Sequence, residues 1–244
     1  MQMQPKNKRS KQSILRIVPD SPVDKATLHP DKQYIVQEVR ELTDTTYVLR
    51  FDKKDMDFQA GQHITLGLPG DNQMREYSIY SPSTAPYLEV LIREVEKGLV
   101  SRKLHRVKKG DSLKVEGPVG FFTLNEQEMK EKSFLFIASG TGIAPFHSMA
   151  GSHPGLDYQI IHGVRFASET YERDHYPENS YIACISQDKQ ADFHGRVTDY
   201  LRLNKPDSET LVYLCGNCDM IYEAYDILTS GGLDADQIRT EVYF

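Results

Sequence analysis

The sequence predicts two domains of different classes, an antiparallel β-barrel followed by an α/β domain with a parallel sheet. In the first half, short runs rich in β-branched and aromatic residues are separated by turn residues. In the second half, near-continuous apolar runs alternate with helical segments. The charge also divides, because residues 1–125 carry a net charge of +4 and residues 126–244 one of −10. Halves that differ this much are expected to be separate domains with different partners.

The barrel prediction depends on six segments with the composition and spacing of strands. They are YIVQEVREL (34–42), TTYVLRF (45–51), HITLGL (63–68), YSIYS (77–81), LEVLIREV (88–95) and SLKVEG (112–117). The breaks between them are of hairpin length, which favours antiparallel neighbours. One helix is expected inside this domain, over residues 101–109, because Ser101 can act as its N-cap and Gly110 can end it.

The α/β prediction depends on a change of period after the charged connector at residues 125–132. The run SFLFIAS is followed by a glycine turn and by a helix through residues 146–149. Further apolar runs occupy residues 158–162, 180–186 and 211–215. Strands that alternate with helices predict a parallel sheet covered on both faces. The expected boundaries are an N-terminal extension at residues 1–32, a barrel domain at residues 33–125 and an α/β domain at residues 126–244.

Composition narrows the class of protein. Hydrophobic residues make up 39% of the chain, enough for folded cores, and no apolar run approaches the ~20 residues of a membrane span. The first twelve residues, MQMQPKNKRSKQ, are polar and basic and lack the apolar centre of a secretory signal. We expect a mobile tail there, with attachment to a membrane or a nucleic acid as the open alternative. Neither a membrane span nor a nucleic-acid partner is predicted for the two domains.

Cysteine usage indicates a reducing compartment. Cys184, Cys215 and Cys218 are too few for a disulfide framework, which favours the cytoplasm. Cys215 and Cys218 have CxxC spacing, but no second pair or histidine cluster completes a zinc site. We therefore predict no metal site and expect two thiols at the end of a buried strand.

Two glycine-containing turns have the pattern of anion sites. Gly140-Thr-Gly-Ile-Ala-Pro145 follows a buried strand and opens a helix, where free N–H groups and the helix dipole favour a phosphate. Gly140 and Gly142 allow close backbone approach, although Pro145 stands where a third glycine of the usual dinucleotide fingerprint would be. Gly98-Leu-Val-Ser101, reached from Arg93, is the second candidate. A tight strand–helix connection and an ordinary capped turn are the structural alternatives for the two segments.

Two anion sites in two domains indicate two nucleotides, and the strand at residues 74–78 supplies further binding groups. Arg75 can pair with a phosphate, Tyr77 offers a flat ring with a hydroxyl, and Ser78 offers a short donor and acceptor. These groups match the needs of a flavin diphosphate. The alternative is a barrel strand that begins with charged residues and ends in a proline-marked turn.

Arg75-Glu-Tyr77-Ser78 resembles the flavin-binding RxYS motif of the ferredoxin–NADP(+) reductase family. Seven further segments resemble family motifs, in family order: Phe58-Gln-Ala-Gly-Gln62, Gly98–Ser101, Gly117-Pro-Val-Gly120, Gly140–Pro145, His162-Gly-Val-Arg165, Cys215-Gly-Asn217 and the ending Glu241-Val-Tyr243-Phe244. Each is weak or moderate alone, but together they cover residues 33–244. The chain is therefore identified as a member of this family, with an FAD-binding barrel and an NAD(P)-binding α/β domain.

The resemblance implies specific residues for each cofactor. For FAD they are Arg75, Tyr77, Ser78, Leu91, Ile92, Arg93, Leu99, Val100 and Ser101, with Tyr243 over the flavin ring and Phe244 on its adenine side. For the nicotinamide dinucleotide they are Gly140, Thr141, Gly142, Arg165, Ser186, Gln187 and Arg196. NADPH is the expected coenzyme and NADH the alternative, because Gln187 stands where NADP-binding members commonly have an arginine for the 2′-phosphate. Arg165 and Arg196 could supply that charge, or could be surface arginines.

The implied activity is that of an FAD-dependent NAD(P)H oxidoreductase, which exchanges a hydride with NADPH and single electrons with an acidic ferredoxin or flavodoxin. Ser78 and Glu241 would steer proton movement, and Cys215 would position the nicotinamide. Met220 and Ile221 are expected in the core. Three cysteines are too few for an additional [2Fe–2S] centre, so electrons are expected to leave to a separate protein. The alternatives are an NAD(P)H:flavin or ferric-chelate reductase and a non-catalytic electron-transfer subunit or redox sensor.

Overall fold

Two six-stranded sheets organise residues 33–243, the part of the chain that this computed structural model describes. The expected N-terminal extension at residues 1–32 and Phe244 lie outside the described residues. Both sheets have the class that the sequence predicts. The first is antiparallel and the second is parallel throughout.

The antiparallel sheet closes into a barrel. Its strands are β1 (Gln33–Glu41), β2 (Thr46–Asp52), β3 (His63–Gly67), β4 (Met74–Ser78), β5 (Tyr87–Arg93) and β6 (Ser112–Val119). Their order is β4-β3-β6-β1-β2-β5. The two end strands meet through a single bridge between Ile79 and Val90, and the Tyr80 N–H donates to the Glu89 carbonyl at 2.7 Å. This closure leaves few strand-edge groups unpaired.

Side chains on the two faces of β2 pack into two different apolar cores. Tyr47, Leu49 and Phe51 point into the barrel and pack with residues of the same domain. Val48 points outward, and it joins a cluster formed mainly by residues of the parallel domain. Successive side chains of a strand face opposite sides, so a strand buried on both faces must be apolar at nearly every position. The apolar run Tyr47–Leu49 of β2 therefore reflects contact between the domains.

The helix of the barrel domain differs from its prediction. Helix α1 spans Leu99–Leu104, so the expected range of residues 101–109 and the expected cap at Ser101 are wrong. Gly98 occupies the N-cap position without a side-chain cap, and the Ser101 hydroxyl instead accepts from the Val95 N–H at 3.3 Å. After Leu104 the chain leaves the helix, and the His105 ring stacks on Tyr47 with centroids 4.3 Å apart.

The parallel sheet belongs to the second domain. Its strands are β7 (Phe134–Ser139), β8 (Tyr158–Val164), β9 (Tyr181–Ile185), β10 (Phe193–His194), β11 (Leu211–Asn217) and β12 (Ile238–Tyr243), in the order β10-β9-β8-β7-β11-β12. The connecting helices are α2 (Glu128–Glu131), α3 (Ala144–Ser152), α4 (Val197–Leu203) and α5 (Cys218–Ser230). The predicted runs at residues 158–162, 180–186 and 211–215 become β8, β9 and β11.

Both faces of the parallel sheet are covered, as expected for strands that are apolar on both sides. On one face, Phe136 of β7 stacks on Phe146 of α3 with centroids 4.7 Å apart. Phe122, from the end of the barrel domain, packs on the same Phe146 and continues this core across the domain boundary. The other face packs against α4 and α5, where Leu201 and Ile221 are buried. One apolar core therefore fixes the barrel against the sheet.

A buried polar contact accompanies this core. Glu172, a residue with positive φ (48°) in the connection between β8 and β9, accepts from Arg40 Nε at 2.9 Å and from the Tyr80 hydroxyl at 2.7 Å. Arg40 also pairs with the buried Glu89 at 3.1 Å. Burial alone would raise the pKa of Glu172, but the bonds from Tyr80 and Arg40 outweigh it and hold that pKa below its usual value. Glu172 is therefore an anion that joins the two domains.

None of the helices within residues 33–243 is both long and apolar enough to cross a membrane.

Candidate functional site

The carboxyl ends of the parallel strands open into a cleft of about 550 Å³. The chain adds β8, β9 and β10 in succession on one side of β7, and then adds β11 and β12 on the other side. The strand order therefore reverses between β7 and β11, which is where open α/β sheets bind their ligands. The cleft is lined by residues that follow four of these strands: Ser139 to Thr141, Gly163 to Arg165, Ser186, Gln187, Gly216 and Asn217.

The predicted glycine turn forms the floor of the cleft. Residues 140–143 make a 3-10 turn, and Pro145 lies in the first turn of α3 as expected. Gly140 has φ +54° and open space at its Cβ position, whereas a Cβ on Gly142 would lie 2.4 Å from the Cys215 carbonyl oxygen. Gly140 and Thr141 therefore face the cleft. Gly142, predicted to contact the dinucleotide, instead packs against β11 and does not line it.

His162 on β8 holds this turn in place. Its Nε2 donates to the Gly140 carbonyl at 2.8 Å, so its Nδ1 accepts from the Tyr181 hydroxyl at 2.6 Å. Full burial lowers the pKa of His162 to about 4, and the ring is neutral at physiological pH. The histidine of the His162–Arg165 motif thus supports the turn at Gly140 and does not itself line the cleft.

Three exposed arginines line the cleft, together with the acidic residues Glu169, Asp219 and Glu223. Arg93 ends β5 of the barrel, Arg165 follows β8, and Arg196 precedes α4. Within residues 33–243 none of their guanidinium groups forms an ion pair. The predicted Ser186 and Gln187 lie in the same cleft. Unpaired guanidinium groups beside a glycine turn are the donor set that phosphate groups need.

A hydrogen-bonded chain connects the barrel to the last strand of the sheet. The Tyr243 hydroxyl donates to Ser78 Oγ at 2.6 Å, and Ser78 Oγ donates to Glu241 Oε1 at 2.8 Å. The parallel register of β11 and β12 pairs Cys215 with Glu241 and Asn217 with Tyr243, which brings Cys215 to the same place. Tyr243 also lines the cleft. All four residues predicted to be catalytic, Ser78, Cys215, Glu241 and Tyr243, therefore lie together at the domain junction.

Burial sets the protonation of these groups. It raises the pKa of Glu241 to about 7, with Glu76 adding to the rise and the Ser78 bond opposing it. Burial also raises the pKa values of the Cys215 thiol and the Tyr243 hydroxyl well above their usual ranges. Cys215 is therefore a neutral thiol near pH 7, which agrees with a positioning role and not with a nucleophilic one. Glu241 is the group here that can gain or lose a proton near neutral pH.

The side chains of the predicted flavin residues on the barrel differ in how exposed they are. Arg75 is exposed on β4, and its Nη1 donates to the Met74 carbonyl at 2.8 Å, while Tyr77 is half-buried. Leu99 is 60% exposed at the start of α1. The remaining predicted contacts are buried: Leu91, Ile92, Val100 and Ser101. These four can offer a ligand their backbone groups but not their side chains.

The residues present fit a flavin dinucleotide. The first turn of α1 has no side-chain cap, so its N–H groups are available to a diphosphate. Tyr77 supplies a ring for stacking, and Ser78 and Glu241 supply polar atoms beside it. Neither Arg75 nor α1 lines the cleft, and Phe244, predicted on the adenine side, lies outside the described residues. The assignment of individual side chains to the flavin therefore remains a prediction.

Several lining residues were not predicted from the sequence. Thr198, Asp219, Met220 and Glu223 also face the cleft. They come from the first turn of α4 and the first two turns of α5, which begin at the carboxyl edge of the sheet. Met220 was expected in the core. It is partly buried, packs against the core and also lines the cleft. The sequence could have indicated these residues through their place in the chain, because a helix that follows a parallel strand begins at the carboxyl edge of the sheet.

Comparisons with known proteins place the chain among flavoprotein reductases. The family described as "Oxidoreductase FAD-binding domain" matches residues 33–124. The toluate 1,2-dioxygenase electron transfer component of Pseudomonas putida is 31% identical over 90% of this chain and 69% of its own length. The ferredoxin–NADP reductase of Azotobacter vinelandii is 28% identical over 81% of this chain and 89% of its own.

A solved structure gives the same fold. The ferredoxin NADP+ reductase of Neisseria gonorrhoeae, determined with bound FAD and NADP, has a TM-score of 0.79 and 22% identity. The match covers 87% of this chain and 98% of that one. At this identity the likeness establishes the arrangement of a barrel followed by a parallel α/β domain.

Proposed function

The chain belongs to the ferredoxin–NADP(+) reductase family, and from that premise we propose that it is an FAD-dependent NAD(P)H oxidoreductase that passes electrons to a separate iron–sulfur or flavin carrier protein. One observation carries the proposal. Tyr243 belongs to two sites at once, because its hydroxyl contacts Ser78 of the barrel and its side chain lines the cleft of the parallel domain. A flavin at the barrel and a dinucleotide in the cleft would therefore be neighbours.

Bound FAD supplies the redox chemistry, since it accepts a hydride from a nicotinamide and releases electrons one at a time. The chain binds and orients it through Arg75, the backbone of α1 and the Tyr77 ring. Ser78 Oγ and Glu241 Oε1 hold a shared hydrogen bond in a partly buried site. With a pKa of about 7, Glu241 can hold a proton at its carboxyl group and relay it through the Ser78 hydroxyl.

Tyr243 and Cys215 act by position in this proposal. The Tyr243 ring occupies the passage between the barrel and the cleft, so a nicotinamide that reaches the flavin must displace it. Cys215 is 0% exposed and lies under the turn that holds Gly140. A larger or charged residue there would disturb the turn, and the contribution of Cys215 is therefore to packing beside the nicotinamide.

The coenzyme is proposed to be NADPH, with NADH as the alternative. Arg165 and Arg196 lie in the cleft without ion-pair partners among the described residues, and each can donate to a 2′-phosphate. Gln187 lies between the strands that carry them and donates hydrogen bonds without charge. A cleft with two free arginines favours the phosphorylated coenzyme.

The electron carrier is proposed to be an acidic protein, a ferredoxin or flavodoxin. Arg106, Lys108 and Lys109 follow α1, are exposed, and form no ion pair within residues 33–243. Such a patch steers an acidic partner and loses strength as salt rises. The relatives include electron transfer and reductase components of oxygenases, which supports a carrier protein as the acceptor. A cytoplasmic location follows the cysteine argument and is part of the proposal.

Steady-state kinetics test the function. The purified protein, expected to be yellow with noncovalent FAD, would be assayed with NADPH and NADH against ferredoxin, flavodoxin, free FMN and a neutral quinone, each at low and high salt. Turnover with a protein carrier that exceeds turnover with free flavin and falls with salt is the expected result. Faster reduction of free flavin would favour a flavin reductase, and no turnover with any acceptor would favour a non-catalytic redox sensor.

A further inference from the structure

Two histidines and a glutamate meet at the domain boundary outside the cleft. His147 comes from α3, and Glu172 and His175 come from the connection between β8 and β9. His147 Nε2 lies 3.1 Å from His175 Nδ1, and His175 Nδ1 lies 3.8 Å from Glu172 Oε2. One potential ligand atom from each residue lies within 4.8 Å of the other two. None of the three residues lines the cleft.

The hydrogen bonds of His147 fix which nitrogen is free. Its Nδ1 lies 2.8 Å from the Tyr80 carbonyl oxygen, which can only accept, so Nδ1 carries the proton. With its proton on Nδ1, the imidazole has its lone pair on Nε2, and that atom faces His175. A ring that donates one N–H to a backbone carbonyl while the other nitrogen stays free has the arrangement of a metal ligand with its supporting contact.

Glu172 supplies the negative charge. Its orientation is fixed by Arg40 on one oxygen and by Tyr80 on the other. Arg40 does not neutralise it alone, because the same guanidinium also contacts the buried Glu89 and the exposed Glu38. A carboxylate oxygen that accepts one hydrogen bond keeps a further lone pair for a cation. The supporting groups around Glu172 therefore resemble those of a bound carboxylate ligand.

We propose that His147 Nε2, His175 Nδ1 and a Glu172 oxygen bind a divalent transition-metal ion of the zinc class. Ligand atoms about 2.0–2.1 Å from a tetrahedral ion lie about 3.3 Å from one another, close to the two distances of 3.1 and 3.8 Å. Two imidazoles and one carboxylate select zinc-like ions over Mg²⁺ or Ca²⁺, which prefer oxygen ligands. The fourth position faces solvent, since His175 is exposed.

Metal binding requires a change of tautomer in the His175 ring. Without metal, His175 donates its Nδ1 proton to His147 Nε2. With metal, that proton moves to His175 Nε2, which can donate to water because the ring is exposed. His147 keeps its Nδ1 proton on the Tyr80 carbonyl in both states. The ion would connect α3 to the segment at residues 172–175, and both already contact the barrel through Tyr80. It would therefore brace the boundary between the domains.

Calorimetric titration of the FAD-loaded full chain with Zn²⁺, and the visible absorption of Co²⁺ as a probe of ligand type, test this site. Wild type is expected to bind one ion per chain, with the Co²⁺ spectrum of a tetrahedral nitrogen–oxygen site and a higher melting temperature. His175→Ala should weaken that binding about 100-fold. The matched control is His194→Ala, an exposed histidine outside the cluster, and it should bind as wild type does. Glu172→Gln keeps the shape of the side chain and should weaken binding about ten-fold.

These variants distinguish the loss of a metal ligand from misfolding around the cluster. His175 is exposed, so its replacement should leave FAD content unchanged and should lower the metal-free melting temperature only by the loss of its hydrogen bond to His147. Zn²⁺ binding of equal strength in wild type and His175→Ala, or no saturable one-to-one binding in wild type, would overturn the proposal. A Co²⁺ spectrum typical of six oxygen ligands would do the same.

Discussion

Ser78 and Glu241 are 163 positions apart in the chain, and the Ser78 hydroxyl donates to the Glu241 carboxylate at 2.8 Å. One residue ends a strand of the barrel and the other lies on the edge strand of the parallel sheet. The bond exists only when both domains are folded and packed. It places a carboxyl group with a pKa of about 7 beside β4, the strand that carries the half-buried Tyr77 and is proposed to hold the flavin.

Replacing Glu241 with glutamine should change how stability depends on pH. Burial raises the pKa of Glu241 from an ordinary 4.5 to about 7 in the folded protein. Between those values the folded state holds a proton that the unfolded state has released, so wild-type stability falls as pH rises and levels off above pH 7. Glutamine has no such penalty. The variant should therefore gain about 1–3 kcal/mol relative to wild type between pH 5 and pH 8.

Melting temperatures measured at pH 5, 6, 7 and 8 check this expectation. Glu126→Gln, which changes an exposed carboxylate on the domain connector, is the matched control and should track wild type. If the difference between Glu241→Gln and wild type is the same at pH 5 and pH 8, Glu241 titrates as an ordinary carboxyl group.

Replacing Tyr243 should change nicotinamide binding. Its ring lies between the barrel and the cleft, and a stacking aromatic contributes roughly 1 kcal/mol beyond area burial. Without that competitor, Tyr243→Ala should bind NADP(+) about five-fold more tightly and should shift the flavin absorption bands. Titration of the oxidised protein with NADP(+), followed by difference absorption, gives both quantities.

Tyr243→Phe is the control for the ring. It removes only the hydroxyl that donates to Ser78, a bond worth about 1 kcal/mol, and keeps the aromatic surface. NADP(+) affinity should stay near that of wild type in this variant. Unchanged affinity and spectrum in Tyr243→Ala would show that the tyrosine does not cover the flavin.

Arg75→Ala should weaken FAD retention. The guanidinium is exposed on β4 and, within residues 33–243, donates a hydrogen bond only to the Met74 carbonyl, so it is available to a phosphate. Loss of one charge-assisted contact costs roughly 1.5–3 kcal/mol and should raise the dissociation constant for FAD ten-fold or more. FAD content after dialysis measures this. Lys114→Ala, an exposed cation on β6, should retain FAD, and full retention by Arg75→Ala would remove this arginine from the flavin site.

Arg196→Ala should separate the two coenzymes. If the guanidinium reads the 2′-phosphate, KM for NADPH should rise about ten-fold while KM for NADH changes little. Gln187→Arg should lower KM for NADPH, because it adds a charge to the same cleft. Arg202→Ala is the control, since Arg202 lies on α4 and pairs with Asp199 and Glu223. Equal changes with both coenzymes would mean that Arg196 does not contact the phosphate.

The fold was predictable because its information is local. Tyr47–Leu49 of β2 and Phe134–Ala138 of β7 are apolar at successive positions, and burial on both faces follows from that pattern. The start of α1 was mispredicted because a serine before basic residues has the pattern of an N-cap. The Ser101 hydroxyl instead satisfies the Val95 N–H, a contact with the preceding turn that the capping pattern does not reveal.

The site was less accessible from residue patterns alone. Ser78, Glu241 and Tyr243 could be grouped only by resemblance to a family, because no local pattern links residues more than 160 positions apart. The contact of His147 with His175 was not foreseen at all. Both residues look like ordinary surface or core histidines in the sequence, and only the packing of α3 on the β8–β9 connection brings them together.

The contact of Glu172 with Arg40 and Tyr80 sets a rule for chimaeras built from this chain. A hybrid that joins this barrel to the α/β domain of a relative keeps Arg40 and the fully buried Tyr80 hydroxyl. If the donor domain has no acid at the position of Glu172, that hydroxyl loses its acceptor at a cost of about 1–3 kcal/mol. A functional recombinant between family members therefore needs matching residues on the two faces of the domain boundary. This requirement is stricter than the choice of the point in the linker at which the two sequences are joined.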